Sequence, residues 1–150
     1  MMDARSEANL AHVHPDLVKI MRAAAQAPQA FIVSYGIRTL AAERAAVASG
    51  HSQTTHSRHL PQRRYARPGD PDGLACAVDT AALIGGEVSF APGHEEQVFG
   101  AINAQVQAAA CALGIEVQWG GAPLGAWTPG VVSHFRDWGH FQLRWDQYPA

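Results

Sequence analysis

Hydrophobic positions recur along this chain with two different periods, and the changes of period mark its elements. From His14 to Ala27, the residues Leu17, Ile20, Met21 and Ala24 fall at the three-to-four-residue spacing that puts side chains on one face of a helix. Pro15 suits a first turn, where its missing N–H costs nothing, and Pro28 ends the run. Phe31-Ile32-Val33-Ser34-Tyr35 is aromatic and β-branched and predicts a strand. Thr39 is placed to cap a second helix over Leu40 to Ser49, which stops at Gly50. Leu74 to Asp79 predicts a strand with Leu74, Cys76 and Val78 on one face and Ala75, Ala77 and Asp79 on the other. The small side chains beside Asp79 suit the floor of a cleft.

A turn is expected at Gly85-Gly86. Val98, Ile102, Val106, Ala109, Ala110 and Leu113 then return to helical spacing, predicting the longest helix over Pro92 to Leu113 with Gly114 as its stop. Ile115, Val117 and Trp119 alternate as a short strand. Phe141, Leu143 and Trp145 alternate with His140, Gln142 and Arg144, so one face should pack on a core while His140 opens the other way. Residues 50–73 and 120–130 have no period and are read as loops, and loops of such length in a compact domain are usually functional. Helices between short, antiparallel-looking strands, with no dinucleotide glycine fingerprint, indicate an α+β domain.

Composition narrows the function classes. The 150 residues suit a single domain that can bury a core without disulfides, and a monomer is expected. A net charge of −2 and the lack of a Lys/Arg run argue against nucleic acid as a partner. Cys76 and Cys111 lie among alanines and are expected to be buried free thiols. The first residues carry no apolar core of a signal peptide, and no stretch reaches membrane-spanning length. Synthesis in a cytoplasm is therefore expected, with exit by another route if the substrate lies outside.

Among the eight histidines, His59 and His140 stand apart by context. His59 follows Ser57-Arg58, and His140 opens a half-buried strand, whereas His56 and His134 sit in Ser/Thr loop sequence. His12, His14, His51 and His94 are read as surface or capping residues. His94-Glu95-Glu96 lacks the second histidine of a helical His-Glu-x-x-His site, since Val98 stands there. With Asp79 the two histidines make a donor set of the kind catalytic zinc uses, three protein ligands and an open fourth position. Asp137, three residues before His140, is placed to take a proton from water activated at such a site. Glu116 is the next carboxylate to consider.

The segments Val13-His14-Pro15-Asp16-Leu17-Val18, Tyr35-Gly36-Ile37-Arg38-Thr39, Ser57-Arg58-His59-Leu60, Gly73 to Asp79, Trp119-Gly120-Gly121 and Asp137 to Leu143 resemble, in that order, the zinc peptidases that cleave D-amino-acid-containing cell-wall peptides. That LAS-type, or M15, family includes D-Ala-D-Ala dipeptidases and carboxypeptidases and the L-alanyl-D-glutamate endopeptidases of phage endolysins. The resemblance implies a small antiparallel sheet with helices packed on one side, as in the Hedgehog/DD-peptidase fold. It implies Zn2+ held by His59, Asp79 and His140, with Asp137 as general base. Arg38 would bind substrate or steady the oxyanion, against the plainer reading of a salt bridge at a strand end. Ser57 would support the ligand loop or the substrate, and Trp119 and Trp138 would pack in the core or line the cleft.

Two departures accompany the resemblance. His59 and Asp79 are twenty residues apart, farther than the family pattern, so residues 61–72 are read as an inserted surface loop whose Arg63, Arg64 and Arg67 are solvated or face anionic wall polymer. After Trp119-Gly120-Gly121 the chain runs on through Trp127, which implies a remodelled cleft rim. The implied function is hydrolysis of the L-alanyl-D-glutamate bond of peptidoglycan stem peptides by an endolysin that reaches the wall through a membrane lesion. The rivals are a D,D-carboxypeptidase or D-Ala-D-Ala dipeptidase, and a non-catalytic zinc-containing binding module of the same fold.

Overall fold

The two helices with clear apolar stripes form, and both stripes face one core. A computed structural model describes residues 2–50, 57–122 and 136–150. Its helices are α1 (Ala4–Leu10), α2 (Pro15–Ala24), α3 (Leu40–Ala48) and α4 (Glu95–Leu113), and its strands are β1 (Phe31–Tyr35), β2 (Ala77–Ile84), β3 (Glu87–Ser89), β4 (Val117–Trp119) and β5 (His140–Leu143). α2 buries Leu17, Ile20, Met21 and Ala24, and α4 buries Phe99, Ile102, Val106 and Ala110. The two helices pack on each other, and α4 lies against the sheet. Pro15 stands in the first turn of α2, and Gly114 caps α4 in the left-handed conformation.

The sheet is antiparallel throughout, in the order β1-β2-β5-β4. β2 holds β5 along Ala77–Asp79 and β3 along Ala82–Ile84. This is the α+β architecture expected.

Several boundaries differ from the sequence reading for physical reasons. β2 begins at Ala77, because Leu74 and Ala75 make isolated bridges to Gln62 and Val13 instead of one ladder. It runs on to Ile84, since Thr80, Ala81 and Ala82 are buried and the alternation that marks a half-exposed strand is lost. β3 closes the turn at Gly85-Gly86 and carries only one apolar residue, Val88. α1 had no apolar stripe to announce it. It is held by Asp3, which accepts a hydrogen bond from the Ser6 N–H, and by the buried Ser6 hydroxyl, which accepts from the Val33 N–H. Cys76 is buried, but Cys111 is exposed on α4, one helical step round from the buried Ala110. All four residues of β5 are buried, so His140 opens into an enclosed site and not onto a solvent face. Trp145 lies beyond that strand, over Arg58.

Residues 61–72 form a closed, docked excursion. Its neck is pinched where Gln62 pairs with Leu74, the Gln62 N–H donating to the Leu74 carbonyl at 2.9 Å. Arg67 pairs with Asp70 through backbone and side chain and donates to the Ala11 carbonyl, and His12 contacts Asp70. Tyr65 packs against the core and meets the His14 ring edge-on. Arg63 and Arg64 are exposed, as a solvated loop would have them. The neck depends on Gly73, whose φ is +106° and whose added Cβ would lie 1.9 Å from the Gln62 carbonyl oxygen. Gly73→Ala is expected to lower stability by roughly 2–4 kcal/mol through backbone strain and this clash. A fall in the urea midpoint at unchanged slope is the measurement that checks it.

Candidate metal centre

One row of residues crosses three strands at the mouth of the core. In the β2–β5 ladder Asp79 lies directly opposite His140, and a β-bulge between Val33 and Tyr35 brings Tyr35 opposite Asp79 from the other side. His59 enters from outside the sheet, on a turn closed by the Leu60 N–H donating to the Ser57 carbonyl at 3.2 Å. His59 Nε2 is 3.2 Å from Asp79 Oδ1 and 3.2 Å from His140 Nδ1, and His140 Nδ1 is 3.1 Å from the same carboxylate oxygen. Among the described residues, these make the group of histidine, cysteine and carboxylate side chains close enough to hold a metal ion. Donors about 2.0–2.1 Å from a tetrahedral zinc are separated by about 3.3 Å, so the triangle is already of the right size.

The far side of each ring is also fixed. His59 Nδ1 donates to the Gly36 carbonyl at 2.7 Å, which leaves the Nε2 lone pair turned toward the other two donors. His140 Nε2 is 2.8 Å from Gln142 Oε1, which leaves Nδ1 as its donor atom. Outer partners of this kind set the tautomer and orientation of ligating histidines. Burial alone would raise the Asp79 pKa, but the charge and hydrogen bonds of His59 and His140 outweigh it and hold the carboxylate well below its usual range. For His140, burial opposes protonation, yet Asp79 and the Asp137 charge carry its pKa up to about 9. The pocket attracts positive charge, which without a metal is a proton and with one is the ion.

Asp137 adjoins this triangle without being part of it. Burial raises its pKa above that of an ordinary aspartate; the nearby His140, His59 and Arg38 charges pull it down, while Asp79 pushes it up. Its backbone is pinned on both sides, the Asp137 N–H donating to Gly120 and the His140 N–H to Asp137. Gly120 is required there, because an added Cβ would lie 2.5 Å from the Asp137 carbonyl oxygen and 3.0 Å from the His140 Cβ. Arg38 stacks over Tyr35, whose ring meets His59 edge-on, and pairs with the fully buried Glu43 at 2.8 Å. The strand-end ion pair is thus present, and Arg38 also borders the site, its N–H donating to the His59 carbonyl. Ser57 Oγ accepts from the His59 N–H at 3.1 Å and supports the ligand turn.

The comparisons with known proteins agree with this geometry. The model of the phage L-alanyl-D-glutamate peptidase family matches residues 1–143. The chain belongs to the phage L-alanyl-D-glutamate peptidase family. Among solved structures it is similar to the L-Ala D-Glu endopeptidase ChiX of Serratia marcescens, with 37% identity, a TM-score of 0.75, and coverage of 98% of this chain and 92% of that one. Among curated proteins no sequence matches it significantly.

Other residues singled out in this peptidase of the family fall as follows. His14 caps α2, His94 starts α4 without a side-chain cap bond, and His12 is at the surface. His51, His56, His134, Trp127 and most of the loop 120–130 lie outside the described residues. Trp119 and Trp138 pack against the core, Trp119 Nε1 donating to the Trp138 carbonyl. Glu116 is exposed and bound to Arg144, away from the donor triangle. Cys76 is inert, its thiol pushed up to about 11 by burial.

Sequence reasoning did not find Gly36, Tyr35, Glu43 or Gln142. Only Gln142 left a signal, two residues after a ligand histidine and on the same strand face. Gln142→Ala removes the acceptor that orients His140 and, if the triangle holds a divalent metal, is expected to weaken its binding about 10- to 100-fold, the usual cost of losing an outer partner. Competition with a metal chelator at neutral pH reads this directly.

Proposed function

We propose that this chain is a zinc endopeptidase that hydrolyses the L-alanyl-D-glutamate bond of peptidoglycan stem peptides, as an endolysin acting on the wall after release from the cytoplasm. The observation that carries the reading is the donor triangle of His59, Asp79 and His140 beside a separate carboxylate, Asp137, in a chain of this peptidase family. Two nitrogens and one carboxylate oxygen are the donor set of hydrolytic zinc sites and leave a position open. Zinc, when bound, supplies Lewis acidity to water and to the scissile carbonyl.

The residues do the rest. Asp137 takes the proton of the attacking water and passes it to the departing amine as the C–N bond breaks, and its raised pKa makes it a stronger base than a surface aspartate. Arg38, held by Glu43, offers its guanidinium to the negative charge that develops on the carbonyl oxygen or to a substrate carboxylate. Ser57 keeps the His59 turn in place. A purely structural zinc site would gain nothing from a base beside an open position, which disfavours the non-catalytic module. The family match favours the endopeptidase over the D,D-carboxypeptidase and dipeptidase rivals. We read the whole chain as one catalytic domain and a monomer. Among the described residues no helix is long and apolar enough to cross a membrane.

Digestion of purified peptidoglycan should release new L-alanine C-termini and D-glutamate N-termini, identified by mass spectrometry, with little cleavage of free D-Ala-D-Ala. The opposite pattern would transfer the assignment to the dipeptidase. Full activity after exhaustive chelation would remove the metal from the reaction. Asp137→Asn is expected to keep about one zinc per chain while kcat falls roughly 10²–10⁴-fold. Wild-type turnover in that variant would place the base elsewhere.

A further inference from the structure

Arg58 precedes the ligand His59 and is buried to 1% exposure, yet among the described residues no carboxylate pairs with it. Its guanidinium donates to Gln62 Oε1 at 3.1 Å and reaches two carbonyl oxygens near the end of the chain, those of Tyr148 at 2.5 Å and Leu143 at 3.4 Å. The face of the guanidinium lies 4.0 Å from the centre of the Trp145 ring. A buried cation is tolerable only if dipoles and a π face replace its water, and here the segment that follows β5 supplies the Trp145 ring and the closer of the two carbonyls.

That segment is itself strapped down. The Tyr148 N–H donates to the Arg144 carbonyl at 2.8 Å, the Tyr148 hydroxyl donates to Asp16 at 2.8 Å, and the Tyr148 ring meets His14 edge-on. Trp145 and Tyr148 lie beyond residue 143, where the family match stops.

We propose that Arg58 is a positioning residue, and that it and residues 144–148 form a latch fixing the turn that presents His59 to the metal. The turn is held in front by the Gly36 carbonyl on the His59 ring and behind by the latch on Arg58. Between them the backbone is tied to the sheet, with the Cys76 N–H donating to the Arg58 carbonyl and the Leu143 N–H to the Cys76 carbonyl. With the rear hold released the turn can rock, and His59 Nε2 leaves a triangle in which its neighbours stand 3.2 Å away. This inference rests on the metal reading of His59.

Zinc affinity of the folded protein tests it, measured by competition with a chromophoric chelator below the melting temperature of each chain. A chain stopped after Pro149 keeps the Tyr148 carbonyl and should bind zinc like the full chain. One stopped after Gln147 should remain folded by circular dichroism and bind about 10- to 100-fold more weakly. Arg58→Lys in the full chain keeps the charge but loses the fork whose two ends join Gln62 to the Tyr148 and Leu143 carbonyls, and should also weaken binding. Unchanged affinity in the Gln147 chain and in Arg58→Lys, with only the melting temperature lowered, would make Arg58 a stability element and overturn the latch. Failure of both to fold would count against it in the same way. If the full chain itself bound no zinc, the metal reading would fall together with the latch, whereas normal binding by the chain stopped after Gln147 would sink the latch alone.

Discussion

The register of β2 against β5 is the constraint on which the site depends. Val78 faces Phe141 in that ladder, and the next pair is Asp79 with His140. Neighbouring residues of a strand point to opposite faces, so burial of the first pair aims the second. Val78 and Phe141 are fully buried, and a slip of one residue would turn them outward at a cost of about 1.5–3 kcal/mol each while pointing both ligands into the core. Thr80 adds a polar lock, its N–H and hydroxyl both donating to the Gly139 carbonyl. Two of the three candidate metal donors are thus placed by ordinary hydrophobic packing, and only His59 needs separate arrangements.

Those arrangements explain how charge is distributed around the site. Glu43 is fully buried and is answered by Arg38, whereas Arg58, equally buried, is answered by carbonyls, an amide and an indole face. An acid beside Arg58 would cancel its charge but would also place a negative group close behind a candidate metal ligand. Neutral dipoles meet both terminal nitrogens of the cation, its buried Nε having no hydrogen-bond partner among the described residues, and leave the electrostatics in front to Asp79, Asp137 and Arg38. The front of the site is then a set of fixed groups with little freedom to reorganise, the condition under which electrostatic stabilisation of a transition state is most effective.

Much of this was legible in the sequence where a residue's type and its burial agree. β1 appears with its predicted bounds because Phe31 to Val33 bury what their side chains suggest, and α3 starts where Thr39 can cap it. The candidate donors His59, Asp79 and His140 were picked out chiefly by the ordered segments of the family resemblance, and the structure brings these three side chains together. Elements held by polar contacts were not. α1 depends on a buried serine hydroxyl and an aspartate cap, neither of which makes a periodic pattern. The middle of β2, Thr80 to Ala82, is a run of small buried residues and so loses alternation. The outer partners Gly36 and Glu43 act through a carbonyl and an ion pair whose targets are remote in sequence or carry no spacing rule.

The segment between His59 and Asp79 shows why a long separation in sequence need not disturb a site. Each doubling of a loop adds only about 0.6 kcal/mol to the entropy of closing it. That cost is offset locally, because the excursion is shut at its own neck by Gln62 and Leu74 and docked through Tyr65, Arg67 and Asp70. Gln62 does more than close the neck, since its amide oxygen accepts from Arg58 and its amide nitrogen donates to the Leu60 carbonyl at 2.7 Å. The first residues of the excursion are therefore part of the support for the His59 turn, and the excursion is tied into the scaffold of the candidate donor it follows.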